Sequence, residues 1–213
     1  MILIDFIETN CLGKLKEAAS DDCDIITFGA YSFAETISKE KRELLKTKDL
    51  KNDSDFYYSA NFSQLYKLSL VNSYNVRYRK DIAYGEDTLF SHELNSVAKS
   101  RNKLTDIFYF YRKNPESAMN SLQQTKKRLI YMDSTISTIE ILKEGLKNGR
   151  FTKKSSGGFI KSKYKQFLMM LVRLNVKDAN VFLKTMRSKG LLIKIFSRNT
   201  ICPRRKELFF IRN

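Results

Sequence analysis

The stretch RYRKDIAYGEDTLFSHELNSVAKS, residues 77–100, decides how this chain is read. It sets Tyr84, Gly85, Glu86 and Asp87 between a strand-like run, NVRYRKDIAY (75–84), and a helix-like run in which Leu89, Leu94, Val97 and Ala98 recur at helical spacing. Gly lets the backbone turn tightly, and a helix beginning near Thr88 favours negative charge at its N-terminus. Two adjacent carboxylates after a Gly turn are therefore consistent with an ordinary helix start, and equally with a reactive acid placed at one.

Outward from this junction the elements alternate. ETNCLGKLKEAAS (8–20) carries Leu12, Leu15 and Ala19 at helical spacing, and CDIITFGAYSF (23–33) turns to β-branched and aromatic residues. SKEKRELLKTKDLKNDSD (38–55) is charged and reads as an exposed excursion, NFSQLYKLSLVNSY (61–74) as a short helix or turn, and KLTDIFYFYR (103–112) as a strong strand. The order helix, strand, loop, strand, helix, strand predicts an α/β fold.

The chain has 213 residues, enough for one domain with an appendage, and a 42% hydrophobic content that can fill a core. Its formal charge of +16 is unevenly spread. Residues 1–120 hold 17 Lys and Arg against 18 Asp and Glu, a balance of −1; residues 121–213 hold 22 against 5, a balance of +17. The charge divides the chain into a mixed region, 1–120, and a basic region, 121–213, that faces something anionic or only solvent. In the second region Leu122, Leu129, Met132, Ile136, Ile139, Leu142 and Leu146 follow helical spacing until Gly149, and KKSSGG (153–158) reads as a linker. Residues 159–176, 178–190 (Asp178 as cap, Gly190 as stop) and 191–199 read as short helices with Lys and Arg along one side.

No run approaches the roughly 18 apolar residues of a membrane span, and MILIDFIETN is too short and too acidic for a signal peptide. Cys11, Cys23 and Cys202 share no metal-ligand spacing, so the expectation is a reduced cytoplasmic protein without a cysteine metal site, with Cys11 and Cys23 as packed thiols. His92 is the single histidine, finds no partner at ligand spacing, and reads as a surface or packed helix residue.

YGEDTLF (84–90), preceded by QLYKLSL (64–70) and followed by AKSRNKLTDIFYFYRKNPESAMNS (98–121), resembles the second half of family 2 glycosyltransferases of the GT-A type. IDFIETNCLGKLKEAASDDCDIITFGAY (4–31) likewise looks like the segment just after their metal-binding Asp-X-Asp motif, so the resemblance covers about residues 4–121. It implies a partial GT-A sheet over 1–120, the acceptor side of the domain, with a basic helical extension over 121–213. It implies an inverting transfer from a nucleotide-sugar donor to a glycan or lipid-linked acceptor, in which a carboxylate takes the proton of the attacking hydroxyl. By that resemblance Asp87 is the base, Glu86 orients the acceptor or the loop, and Tyr84 and Gly85 belong to the substrate-binding turn. Tyr111 and Arg112 match a position near the diphosphate, where Arg neutralises phosphate charge; they read equally well as an aromatic strand end with a solvated Arg.

The sequence also departs from the family. Ile2, Leu3, Ile4 and Asp5 stand where Asp-X-Asp should end, so only Asp5 keeps an acidic position, and Gln64 replaces the frequent Lys or Asn before LYK. A divalent cation, Mg or Mn, belongs to the complete family, but its Asp-X-Asp ligands are absent here. The resemblance thus leads to the expectation of a transferase lacking its donor-binding half: a truncated or split gene, or a chain that works with a partner. The basic region suits peripheral contact with an anionic inner leaflet, or a solvated bundle. Nucleic-acid binding is the rival that the charge alone suggests, yet no helix-turn-helix, zinc spacing or ribonucleoprotein-type aromatic motif accompanies it.

Overall fold

A computed structural model describes residues 5–19, 22–33, 43–45, 61–113, 122 and 124–191. Its elements run β1 (Phe6–Ile7), α1 (Cys11–Ala18), β2 (Ile25–Phe33), β3 (Glu43–Leu45), a 3-10 turn (Asn61–Ser63), β4 (Gln64–Tyr66), α2 (Leu68–Ser73), α3 (Glu86–Val97), β5 (Arg101–Arg112), α4 (Thr125–Lys147), α5 (Lys153–Leu171) and α6 (Val176–Ser188). The expected α/β class is observed: a partial mixed sheet with helices packed beside it.

Strand β2 is central. Ile25, Ile26, Phe28, Ala30 and Phe33 are all buried, as expected of a strand covered on both faces. β5 lies parallel to it, β1 pairs antiparallel with β5, and β3 and β4 pair antiparallel with successive parts of the other edge of β2. Gly29 marks an irregularity in the β2–β5 register, and a Cβ there would meet Ile107 Cγ1 at 2.8 Å, so only Gly allows that approach. Asp24 locks the start of the parallel pair: its Oδ2 accepts from the N–H groups of Lys99 (2.7 Å) and Ser100 (3.3 Å).

Beyond the sheet, α4, α5 and α6 form a helical layer around Met132, Ile136, Ile139, Leu142, Phe167 and Met186, each no more than 1% exposed. Ile82 and Leu89, from the GED turn and α3, belong to the same core cluster. The helical layer therefore packs directly on the helix that follows the carboxylates.

Four local expectations are corrected. NVRYRKDIAY (75–84) is no strand but a series of turns: Val76 plugs into the sheet-side core and Ile82 into the helical one, and Arg77 caps α2 through Val71 O and Asn72 Oδ1. Of the charged excursion 38–55, Glu43–Leu45 is a strand on β2 and the remainder lies outside the described residues. KKSSGG is the first turns of α5 and not a linker, because Thr152 and Ser155 form a reciprocal capping box: Thr152 Oγ1 accepts from Ser155 N–H and Ser155 Oγ from Thr152 N–H, both at 3.0 Å. The cap of α6 is Asn175, whose Oδ1 accepts from Asp178 N–H at 2.9 Å, so Asp178 is the third residue of the helix. Gly149 and Gly190 do follow helix ends in left-handed backbone, as expected. The helix expected over 191–199 lies outside the described residues except for Leu191, which is buried in the helical core.

Two opposite glycine substitutions test this layer by chemical denaturation. Gly157 and Gly158 sit inside α5 with nothing within 4 Å of an added Cβ, so Gly157→Ala and Gly158→Ala are each expected to stabilise the fold by about 0.5–1 kcal/mol. An added Cβ at Gly145 would lie 2.2 Å from the Phe151 ring, so Gly145→Ala is expected to destabilise by about 1–3 kcal/mol. An opposite sign at either place would contradict the α4–α5 packing.

Candidate active site

The GED turn is built by backbone geometry first. Gly85 is the N-cap of α3 with φ 80°, a left-handed conformation that side-chain-bearing residues rarely adopt. Its carbonyl accepts from Leu89 N–H at 3.0 Å, so the helix opens at Glu86 itself and both carboxylates lie in the first turn. Asp87 is half-buried; its Oδ1 accepts from Thr88 N–H (2.6 Å) and the Thr88 hydroxyl (3.1 Å), and its Oδ2 has no protein partner among the described residues. One oxygen is thus anchored, and the other accepts from no described residue. Tyr84 packs edge-on against Tyr131 of α4, ring centroids 5.6 Å apart.

A polar network fixes α3 to the sheet. The Tyr66 hydroxyl donates to Gln64 Oε1 (2.6 Å) and lies 2.7 Å from Ser91 Oγ; Gln64 Nε2 reaches Thr27 Oγ1 (3.4 Å), and Asn95 Nδ2 donates to Gln64 Oε1 (3.3 Å). Burial pushes the Tyr66 phenol above its usual range against the Ser91 bond, and the charges of Tyr78 and Asp87 add to the rise. Tyr66 therefore stands near Asp87 as a neutral hydroxyl. Gln64, a departure from the family at the sequence level, is the hub of this network.

The opposite face of α3 meets the helical layer. His92 Nε2 is 2.9 Å from Ser156 Oγ, and the ring stacks on Phe159 with centroids 4.4 Å apart. Burial, then the nearby Lys163 charge, lowers His92 to about 3, so the ring is neutral. This is the packed histidine that the lone-histidine pattern suggested. Glu93, 2% exposed, is held between Arg79 (3.5 Å) before the GED turn and Arg150 (3.1 Å) after α4. Cys11 is buried and Cys23 half-buried, both free thiols.

Tyr111 and Arg112 stand elsewhere, at the carboxyl end of β5. Phe62 stacks on Tyr109 and Tyr111 (4.6 and 5.4 Å), and the Arg112 guanidinium lies 6.0 Å from the Phe33 ring centroid. Asp5 ties this end together, accepting from the Tyr109 hydroxyl (2.7 Å) and Arg112 N–H (2.8 Å). No hydrogen bond, ion pair or ring contact among the described residues joins Tyr111 or Arg112 to Asp87. The 3-10 turn at Asn61–Ser63 touches β2, β5 and α3 and so connects the two places. Ligands of open sheets with parallel strands settle outside the carboxyl ends of those strands, which is where Phe33, Tyr111, Arg112 and Asp5 lie.

The same fold occurs in a solved structure. S. aureus TarS residues 1–349 in complex with UDP-GlcNAc matches with a TM-score of 0.52 at 12% identity, over 87% of this chain and 54% of that one. The fold is glycosyltransferase-like. Two further structures of S. aureus TarS 1–349, one of them in complex with UDP, align less closely, with TM-scores of 0.43 and 0.42, each at 14% identity and over 88% of this chain, and 60% and 61% of theirs. This chain thus spans between half and two thirds of the length of the structures it matches. No protein-family model and no curated protein matches it. No described helix is long and apolar enough to cross a membrane.

The described residues do not gather a cation site. No cluster of three His, Cys, Asp or Glu side chains occurs among them, and both Asp5 oxygens already accept from Tyr109 and Arg112.

Neutral His92 makes acid sensitivity a test of the α3–α5 contact. Its ordinary value of 6.5 falls to about 3 in the fold, so between those values the unfolded chain binds the proton and the folded one does not. Stability is then lost as pH falls through that window, by about 1.4 kcal/mol per pH unit from this group. His92→Asn, which keeps a polar partner for Ser156, is expected to flatten the pH dependence of the urea midpoint between about pH 7 and about pH 4.5; an unchanged slope would mean that His92 is accessible to protons in the folded state.

Proposed function

We propose that this chain is a glycosyltransferase that moves a sugar from a nucleotide-diphosphate donor to an acceptor hydroxyl with inversion, and that Asp87 is its general base. The observation that carries the reading is the half-buried Asp87 carboxylate, one oxygen anchored by Thr88 and the other without a partner among the described residues, at the GED turn of a glycosyltransferase-like fold. TarS is bound to UDP-GlcNAc in its complex, which favours a uridine-diphosphate sugar as donor.

In the proposed step the acceptor O–H bond breaks as its proton passes to the Asp87 carboxylate. The oxygen's electron pair forms the new bond to the anomeric carbon, and the bond from that carbon to the diphosphate breaks, the nucleoside diphosphate leaving with its electrons. Such proton removal contributes roughly 10²- to 10⁴-fold. Glu86 orients the acceptor, Tyr84 and Gly85 line its entry, and Arg112 with Tyr111 neutralises and stacks against the donor at the strand end. The divalent cation that the resemblance implies would neutralise charge on the departing diphosphate, although the described residues gather no site for it. The acceptor is a glycan or lipid-linked saccharide; Met169, Val172 and Val176, exposed beside Arg173 and Lys177, suit peripheral contact with an anionic surface.

The test is transfer from a panel of nucleotide-sugars, with wild type and Asp87→Asn compared. The variant is expected to lose transfer by about 10²- to 10⁴-fold while its calorimetric donor affinity stays within about twofold of wild type, since the base acts only as the acceptor ionises. Retained turnover would remove Asp87 from the role. Failure of the wild-type chain to bind any nucleotide-sugar would overturn the reading for this chain.

A further inference from the structure

The buried face of α5 carries one charge. Ile160, Tyr164, Phe167 and Leu171 follow helical spacing into the core, and Lys163 stands among them at 6% exposure. Its ammonium is 5.2 Å from the Phe159 ring centroid and 3.2 Å from where a Cβ on Gly85 would be, so it points at the GED turn. No carboxylate among the described residues lies within ion-pair distance of it. A lysine this buried usually finds a counter-ion or reaches solvent by extending its stem. The charge that reaches it is the Asp87 carboxylate of α3, and the neutral His92 ring of the same helix feels the ammonium in turn.

We propose that Lys163 is a positioning residue of the Asp87 site, so that the helical layer supplies part of the site and does not merely support it. The inference rests on the proposed role of Asp87. The ammonium approaches the turn at Gly85, two residues before Asp87, without forming an ion pair with that carboxylate. A cation there biases the orientation of the Asp87 carboxylate, and it strengthens the field in which an acceptor hydroxyl loses its proton. Gly85 is required twice over: for the left-handed turn, and because a side chain would crowd the ammonium. Burial lowers the affinity of Lys163 for its proton, and the Asp87 charge partly restores it.

Two readouts test the coupling, one independent of transfer. In uniformly labelled full chain, the Lys163 side-chain nitrogen is assigned by its disappearance in Lys163→Arg, and its titration is followed by NMR. Asp87→Asn is expected to move the Lys163 midpoint to lower pH, and Glu86→Gln to leave it in place. An unmoved midpoint in folded Asp87→Asn overturns the proposal whether or not the protein transfers sugar. For turnover, Lys163→Met is expected to lower kcat by about 100-fold, as a small misplacement of a reacting group does, with donor KM within about threefold and partial recovery in Lys163→Arg. A purely structural lysine would give folded variants with unaltered kcat, which also overturns it. Absence of transfer in wild type would count against the glycosyltransferase reading and leave the titration to decide the coupling.

Discussion

Helix α3 is buried on both sides, and the rest of the structure depends on how its polar groups are satisfied there. Ser91, His92, Glu93, Leu94 and Asn95 are consecutive and all buried, a run that no amphipathic pattern provides for. The four polar members go to three different places: Ser91 and Asn95 to Tyr66 and Gln64 beside the sheet, His92 to Ser156 of α5, Glu93 to Arg79 and Arg150. A buried polar group left without a partner costs about 1–3 kcal/mol, so these contacts set the rotation of α3 about its axis. That rotation also decides where Asp87, one turn before Ser91, projects. The sheet and the helical layer thus fix the site together, although neither contains the carboxylate.

The sequence was most legible where apolar period dominates. The runs that became α1, β2, β5 and α4 are set by packing of one or two apolar faces, and period reports packing directly. It failed where local polar chemistry decides. The mix of apolar, basic and aromatic residues in 75–84 looks like a strand, yet no neighbouring described strand takes that backbone; Val76 and Ile82 instead enter two different cores. KKSSGG looks like a linker by composition, yet a Thr just outside it completes a capping box that composition does not weigh.

The site divides in the same way. Gly85 with its following carboxylates was readable because a left-handed N-cap and an acidic first turn are both local demands. The partners of Asp87 were not, since Tyr66 and Lys163 come from 21 residues before it and 76 after it and only the fold brings them close. One signal for Lys163 was available. Within FIKSKYKQFL the lysines at 161, 163 and 165 look alike, but counting back from Leu171 and Phe167 at helical steps puts 163 on the inward stripe and leaves 161 and 165 outside.

That placement changes what the basic region signifies. A net charge summed over 121–213 treats every Lys and Arg as facing an external anion, but Arg150 is directed to buried Glu93 and Lys163 to the GED turn. Burying an ammonium in an aromatic stripe opposes folding by several kcal/mol unless a counter-charge offsets it. Asp87 stands too far away for a direct pair, so the offset is incomplete and the cation persists because the surrounding core over-determines its position. Met132, Ile136, Leu142, Phe167 and Met186, nearly inaccessible to solvent, supply that surplus. If Lys163 acts on the turn as proposed, a charge held by a well-packed core is what pre-organisation requires: the stabilisation lies in the core, and the field is in place before a ligand arrives.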